Sequence, residues 1–82
     1  MAPRALRRLS AAQRQALECL RGFGAESLDD SFEDADVRSA YRALARRFHP
    51  DRYPEAGEDE REYLSHAFAR IAEAYRQLTP GN

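Results

Sequence analysis

The longest regular pattern in the chain lies in residues 58–78, where apolar side chains recur at the three- and four-residue spacing of one helical face. The segment opens with Glu58, Asp59 and Glu60, which suits the positive end of a helix dipole. A helix with one apolar face must bury that face against another element. The chain therefore needs further helices or strands to cover it. The apolar positions are Leu64, Ala67, Phe68, Ile71, Tyr75 and Leu78.

A second segment, residues 34–48, is rich in helix formers and has an apolar face of its own. Ser31 or Asp34 is predicted to be its N-cap. The helix is predicted to end near Phe48, because Pro50 disfavours helical geometry in the residue before it and has no N–H for the helical ladder. A loop then leads to the third segment. The apolar positions of the second segment are Val37, Tyr41, Leu44 and Phe48.

The first segment offers Ser10 as an N-cap, with Gln13 at the spacing of a capping box, and glycines near its end. Residues 24–33 show no sustained period and are predicted to form a connection, beneath which Leu28 and Phe32 are expected to tuck. This segment also has a single apolar face, which predicts a first helix. Its apolar positions are Leu9, Ala16, Leu17, Leu20 and Phe23.

The predicted fold class is all-α. The second and third helices are similar in length and joined by a loop over residues 49–57, so we expect them to form an antiparallel hairpin with the first helix packed across it. A chain of 82 residues is too short for two domains. We therefore expect a single domain over residues 1–82, with a core that spans about residues 9–79.

The composition argues against several classes of function. No apolar run approaches the roughly 20 residues of a membrane span, so a cytoplasmic protein without a membrane partner is expected. The formal net charge is −1, without the basic excess that is typical of nucleic-acid binders. Enzyme pockets of about 300 to 1,000 Å³ are difficult to accommodate in so small a core. We therefore expect neither an enzyme nor a cofactor.

The sequence RRFHPDRYP, residues 46–54, places a histidine, a proline and an aspartate between arginines. A histidine with an aspartate is half of a nucleophilic triad, but the third member is missing and we expect the side chains of His49 and Asp51 to point apart. A metal site would draw on His49, Asp51, His66 and Cys19, which lack spacings such as C-x-x-C. Cys19 is interpreted as a small core residue and His66 as a surface residue. We predict neither a catalytic pair nor a metal site.

A turn and a contact surface are the remaining interpretations of this segment. Taken alone, His49-Pro50-Asp51 is typical of a helix stop followed by an Asx turn. Arg38, Arg42 and Arg46 follow one another at four-residue intervals opposite the apolar face, and like charges at this spacing cost about 0.2 to 0.5 kcal/mol per pair. This arginine stripe is either a solvated helix face or a docking face for an acidic partner. On the first interpretation, the charges of Arg46 and Arg47 interact favourably with the C-terminal end of the helix dipole. The pattern itself leaves both open.

A nucleic acid is the other partner that an arginine stripe suggests, through its phosphates. Two features oppose it. The predicted loop is longer than the roughly 3 to 4 residues of a helix-turn-helix, and acidic residues beside it would repel phosphate. We therefore expect no nucleic-acid partner. The acidic residues are Glu55, Glu58, Asp59, Glu60 and Glu62.

Two stretches resemble a known family. VRSAYRALARRFHPDR, residues 37–52, resembles the second helix and loop of the J domain, the module of DnaJ-type co-chaperones. FARIAEAYRQL, residues 68–78, resembles the third-helix signature of the same module. J domains are antiparallel hairpins of helices two and three with helix one packed across them, so the resemblance implies a J-domain-like fold. Ala43 departs from the pattern, because many members carry a basic residue there.

The resemblance also implies a function. The His-Pro-Asp loop of this chain and the basic face of its second helix would dock on a DnaK-type chaperone ATPase, of the heat shock protein 70 class. This docking would trigger ATP hydrolysis by that partner. Asp51 would pair with an arginine of the partner, His49 and Pro50 would shape the loop, and Arg52 would be a rim contact. A monomer is expected, and a J-like adaptor that activates no ATPase remains an alternative. The residues implied to steer docking are Arg38, Arg42, Arg46 and Arg47.

Overall fold

The computed structural model describes residues 8–79 and contains three α-helices and one 3₁₀ turn. The helices are α1 (Ala11–Phe23), α2 (Asp34–Phe48) and α3 (Glu58–Leu78), and the 3₁₀ turn, Pro50–Arg52, lies between α2 and α3. Residues 8–79 contain no strand, so the predicted all-α class is confirmed. None of the helices in this range is long and apolar enough to span a bilayer.

The α2–α3 pair is antiparallel, as predicted. Tyr41 stacks on Tyr75 with ring centroids 4.4 Å apart. At the other end of the pair, His49 meets Phe68 edge-on with centroids 5.4 Å apart. Along the pair, residue numbers rise on α2 as they fall on α3, and the end of α2 lies beside the middle of α3.

Helix α1 packs against α3 and reaches α2 at its C-terminal end. The thiol of Cys19 donates a weak hydrogen bond to the carbonyl oxygen of Arg70, 3.9 Å away. The guanidinium of Arg70 lies over the ring of Phe23, 5.6 Å from its centroid, and Phe23 meets Phe48 edge-on at 5.2 Å. The first helix therefore covers the hairpin as predicted, and Cys19 is half-buried against the core.

The core draws on all three helices and on the connection between α1 and α2. Leu28 and Phe32 of that connection are 3% and 2% exposed, so they tuck beneath it as predicted. Burying these side chains removes most of their apolar surface from water, which is the main force that holds a domain of this size together. The buried core residues are Ala16, Leu17, Leu20, Leu28, Phe32, Val37, Leu44, Ile71, Ala74 and Leu78.

The start of α1 has the predicted capping box. The N–H of Gln13 donates to Oγ of Ser10 at 3.1 Å, and the N–H of Ser10 donates to Oε1 of Gln13 at 3.0 Å. Two of the N–H groups that a helix N-terminus leaves without a helical partner are thereby satisfied.

The predicted caps of α2, Ser31 and Asp34, were wrong. Glu33 is the N-cap, and its N–H donates to Oδ2 of Asp36 at 2.8 Å. The hydroxyl of Ser31 instead hydrogen-bonds the carboxylate of Asp29, which also accepts from the Ser31 N–H at 2.9 Å. Ser31 is thus used by a turn in the connection, and Asp34 is already the first residue of the helix.

A surface ion pair lies in the last turns of α3. The guanidinium of Arg76 donates to the carboxylate of Glu73, and the side-chain amide of Gln77 donates to it at 3.3 Å. The hydrogen bond from Arg76 is the main cause, and that from Gln77 the second, of a pKa of Glu73 below its ordinary value. Exposed pairs of this kind contribute little to stability.

Two glycines at the end of α1 provide a matched test of the helix stop. Gly24 has a φ of 133°, and a Cβ there would lie 3.0 Å from Nη1 of Arg47, so we expect Gly24→Ala to destabilise the domain by about 1 to 3 kcal/mol. Gly22 lies inside the helix with open space around it, so Gly22→Ala should stabilise the domain by about 0.5 to 1 kcal/mol. Urea unfolding of both variants measures the difference. Equal effects would show that Gly24 is not the helix stop.

Candidate partner-binding site

The His-Pro-Asp segment begins where α2 ends. Helix α2 stops at Phe48, as Pro50 predicts, and His49 has an extended backbone with φ −68° and ψ 128°. In the turn that follows, the N–H of Arg52 donates to the carbonyl oxygen of His49 and the N–H of Tyr53 to that of Pro50, both at 3.0 Å. The predicted turn is therefore a 3₁₀ turn with two backbone hydrogen bonds.

The imidazole of His49 caps this turn. The N–H of Asp51 donates to Nδ1 of His49 at 3.1 Å, which requires that Nδ1 carries no proton. The same ring packs edge-on against Phe68 of α3. His49 thus joins the turn to α3, and it provides the side-chain cap that we had expected from an Asx turn.

The prediction that the side chains of His49 and Asp51 point apart was wrong. Oδ2 of Asp51 lies 3.8 Å from Nδ1 of His49. Residues i and i+2 share a face even in an extended segment, and here a turn begins between them. The separation is nevertheless too long for a hydrogen bond between the two side chains.

The carboxylate of Asp51 is presented to solvent. Its side chain is 93% exposed, whereas the backbone around it is held by the hydrogen bonds of the turn and by the cap from His49. An exposed carboxylate on an ordered backbone contributes little to folding. It is well placed for contact with another molecule.

The arginine stripe lies on the solvent face of α2. Arg38, Arg42 and Arg46 are exposed, while Val37 and Leu44 on the opposite face are buried. Within residues 8–79, none of the three arginines forms an ion pair with an acidic side chain. Their charges are therefore directed at solvent, which agrees with the predicted stripe.

The remaining two arginines of the predicted site lie on different sides. The guanidinium of Arg47 lies over the ring of Phe48, 5.7 Å from its centroid, and its Nη1 approaches Gly24 at the end of α1. Arg52 is exposed within the 3₁₀ turn. The structure thus brings Arg52 close to Asp51 and directs Arg47 away from the stripe, towards α1.

A shallow depression joins the end of α2 to the turn. Two of its residues, Ala45 and Phe68, were not predicted as part of the site, and Phe68 was assigned only to the apolar face of the third helix. Charged groups from α2 and the turn surround them. The lining residues are Ala45, Arg46, His49, Asp51, Arg52 and Phe68.

Tyr53 is a further residue that the sequence analysis missed. Its hydroxyl donates to the carbonyl oxygen of Arg47 at 2.7 Å. The sequence feature that could have pointed to Tyr53 is an aromatic residue directly after the His-Pro-Asp-Arg run, in an otherwise polar loop.

The residues that were considered as metal ligands lie on α1, at the 3₁₀ turn and on α3. In the described part of the chain, no group of three or more His, Cys, Asp or Glu residues is arranged to hold a metal ion. His66 is exposed on α3, with Nε2 3.8 Å from Oε1 of Glu62, and so is a surface residue as interpreted. Cys19 lies on α1, packed against α3.

The structure thus places an exposed carboxylate on an ordered turn near the exposed arginines of α2. The family model of the DnaJ domain matches residues 27–81. The chain therefore belongs to the DnaJ domain family, and the resemblance inferred from the sequence is confirmed.

The similar proteins include chaperones and co-chaperones. The adaptation to cold protein J of Shewanella oneidensis is 32% identical over 57 residues, which are 70% of this chain and 61% of that protein. The chaperone protein DnaJ of Cupriavidus pinatubonensis is 37% identical over 68 residues, 83% of this chain but 15% of the relative. The co-chaperone protein HscB homolog of Bordetella pertussis is 44% identical over 48 residues, 58% of this chain and 28% of the relative. No solved structure matches the chain.

Proposed function

We propose that this chain is a single J domain over residues 1–82 that docks on a DnaK-type chaperone ATPase and stimulates ATP hydrolysis by that partner. The observation that carries the proposal is the Asp51 carboxylate, 93% exposed on a capped turn at the end of the arginine stripe. Family membership and the names of the chaperone and co-chaperone relatives support it. In this proposal the chemistry takes place on the partner.

The residues of the site have different tasks in this proposal. Asp51 pairs with a cation of the partner, because a carboxylate that loses water on docking needs an opposite charge. Pro50 and the cap from His49 hold that carboxylate in position. Arg52 contacts the rim of the interface. Steering towards an acidic surface comes from long-range charge, which acts mainly on the association rate. The residues that steer docking are Arg38, Arg42, Arg46 and Arg47.

Single-turnover ATP hydrolysis tests the proposal. A purified DnaK-type chaperone is loaded with ATP, and phosphate release is followed with and without the chain. We expect faster hydrolysis with the chain present and no hydrolysis by the chain alone. Binding without acceleration would instead identify a docking adaptor, and neither binding nor acceleration would reject the proposed function.

Removing one charge from the stripe should slow docking. We expect Arg42→Ala to lower the association rate several-fold at low salt, with a weaker dependence of that rate on salt concentration, because exposed charges at an interface act mainly through steering. Stopped-flow association with the chaperone at two ionic strengths measures the effect. Arg14→Ala, which removes an exposed arginine from α1, is the matched control. A loss that does not depend on salt would contradict steering by Arg42.

A further inference from the structure

Tyr53 connects three parts of the structure around the His-Pro-Asp turn. Its hydroxyl donates to the carbonyl oxygen of Arg47, in the last turn of α2, at 2.7 Å. Its N–H donates to the carbonyl oxygen of Pro50 within the turn, and its own carbonyl oxygen accepts from the N–H of Ala56 at 3.0 Å. Its ring lines a shallow concavity with residues of α3, which are Asp59, Glu60, Tyr63 and Leu64.

The hydrogen bond from the Tyr53 hydroxyl to Arg47 joins the two ends of the His-Pro-Asp turn. The last four carbonyl groups of an α-helix have no helical partner, and Tyr53 supplies a donor to one of them from beyond the turn. The exposed Asp51 lies between the two ends of this connection. Without the hydroxyl, the segment from His49 to Tyr53 keeps its backbone hydrogen bonds and the His49 cap but loses the side-chain hydrogen bond from Tyr53 to α2.

We propose that Tyr53 is a positioning residue for docking, and that its hydroxyl holds the turn in the conformation that presents Asp51. This inference rests on the proposed function, because it assigns Tyr53 a task in the same contact. Tyr53 acts through the turn, so its loss reduces the fraction of molecules whose turn is competent to bind. The apparent dissociation constant rises by the inverse of that fraction, while the fully bound complex is unchanged.

Tyr53→Phe and Tyr63→Phe form the test pair, since each removes one phenolic hydroxyl from an exposed tyrosine. Tyr53 is 40% exposed and Tyr63 is 59% exposed, and within residues 8–79 the Tyr63 hydroxyl has no hydrogen-bond partner. Amide hydrogen exchange of the free chain measures the turn directly. We expect Tyr53→Phe to speed exchange at Arg52 and Tyr53 by about 2- to 10-fold, the range for loss of one net hydrogen bond, with the helices unchanged.

ATPase titrations then separate positioning from a general loss of stability. In Tyr53→Phe we expect the chain concentration for half-maximal stimulation of the DnaK-type chaperone to rise by up to about 10-fold, because the competent fraction cannot fall by more than the opening equilibrium rises, with the maximal rate retained. Tyr63→Phe should match the wild type in both measurements.

The two proposals fail in different ways. Exchange at Arg52 and Tyr53 that is unchanged in Tyr53→Phe, or an unchanged half-maximal concentration, overturns the role of Tyr53 and leaves the proposed function intact. A wild-type chain that does not stimulate the chaperone rejects the proposed function, whereas the exchange measurement on the free chain still reports on the Tyr53 contact.

Discussion

Asp51→Asn should abolish stimulation of the chaperone while the fold stays intact. The change keeps the size of the side chain but removes the charge that is proposed to pair with the partner. Truncating one member of a buried, hydrogen-bonded charge pair costs about 2 to 5 kcal/mol, which corresponds to a loss in affinity of about 30-fold to several thousand-fold. Stimulation should therefore disappear at chain concentrations that saturate the wild type. Single-turnover hydrolysis by the chaperone measures the result.

Folding should not change in this variant, because the Asp51 side chain is 93% exposed and the cap to His49 uses the backbone N–H, which asparagine retains. Circular dichroism and thermal unfolding check this. Asp59→Asn is the matched control, since it makes the same chemical change at an exposed aspartate of α3 outside the turn. Full stimulation by Asp51→Asn, or equal losses in both variants, would contradict the role assigned to the Asp51 carboxylate.

Ile71→Ala should have the largest effect on stability. Ile71 is fully buried in α3, the helix against which both α1 and α2 pack. Replacing a buried isoleucine with alanine removes apolar contacts and leaves a cavity, at a cost of about 2 to 5 kcal/mol. Small domains have a total stability of about 5 to 15 kcal/mol, so we expect the thermal midpoint to fall by more than about 10 °C. Thermal and urea unfolding measure the change.

Tyr63→Ala on the same helix is the control for Ile71→Ala. Tyr63 is 59% exposed, and surface substitutions usually change stability by about 0.5 kcal/mol or less. A similar loss in the two variants would mean that burial does not determine the effect, because alanine has the highest helix propensity and neither substitution weakens the helix itself. A small loss in Ile71→Ala would show that the three helices do not share a core at this position.

The helices could be predicted from local patterns, because helical periodicity and capping involve residues only a few positions apart. The apolar stripe of α3, the Ser10–Gln13 box and the stop before Pro50 all have this character, and all are confirmed. The start of α2 was mistaken for a related reason. Several residues between 29 and 36 can cap a helix, and their choice depends on the turn that Asp29 and Ser31 form with each other.

The sequence predicted which residues form the candidate site, but it predicted much less of how their side chains are arranged. The spacing of Arg38, Arg42 and Arg46 along one helix identified the stripe, since a helical face follows from sequence separation alone. The arrangement of His49 and Asp51 did not follow in the same way, because a short segment between two helices has its dihedral angles set by what it packs against. The ring of His49 rests on Phe68, a contact between residues far apart in the chain.

Local patterns were sufficient to predict an all-α domain with an arginine stripe that ends at a proline stop, because near neighbours in the sequence encode each of these features. Three contacts follow instead from the packing of the helices: His49 caps the turn, Arg47 lies towards α1, and Tyr53 hydrogen-bonds back to α2. Those contacts depend on the antiparallel packing of α2 on α3 and on the end of α1 beside them. They exist only once burial of the shared core has brought the three helices together.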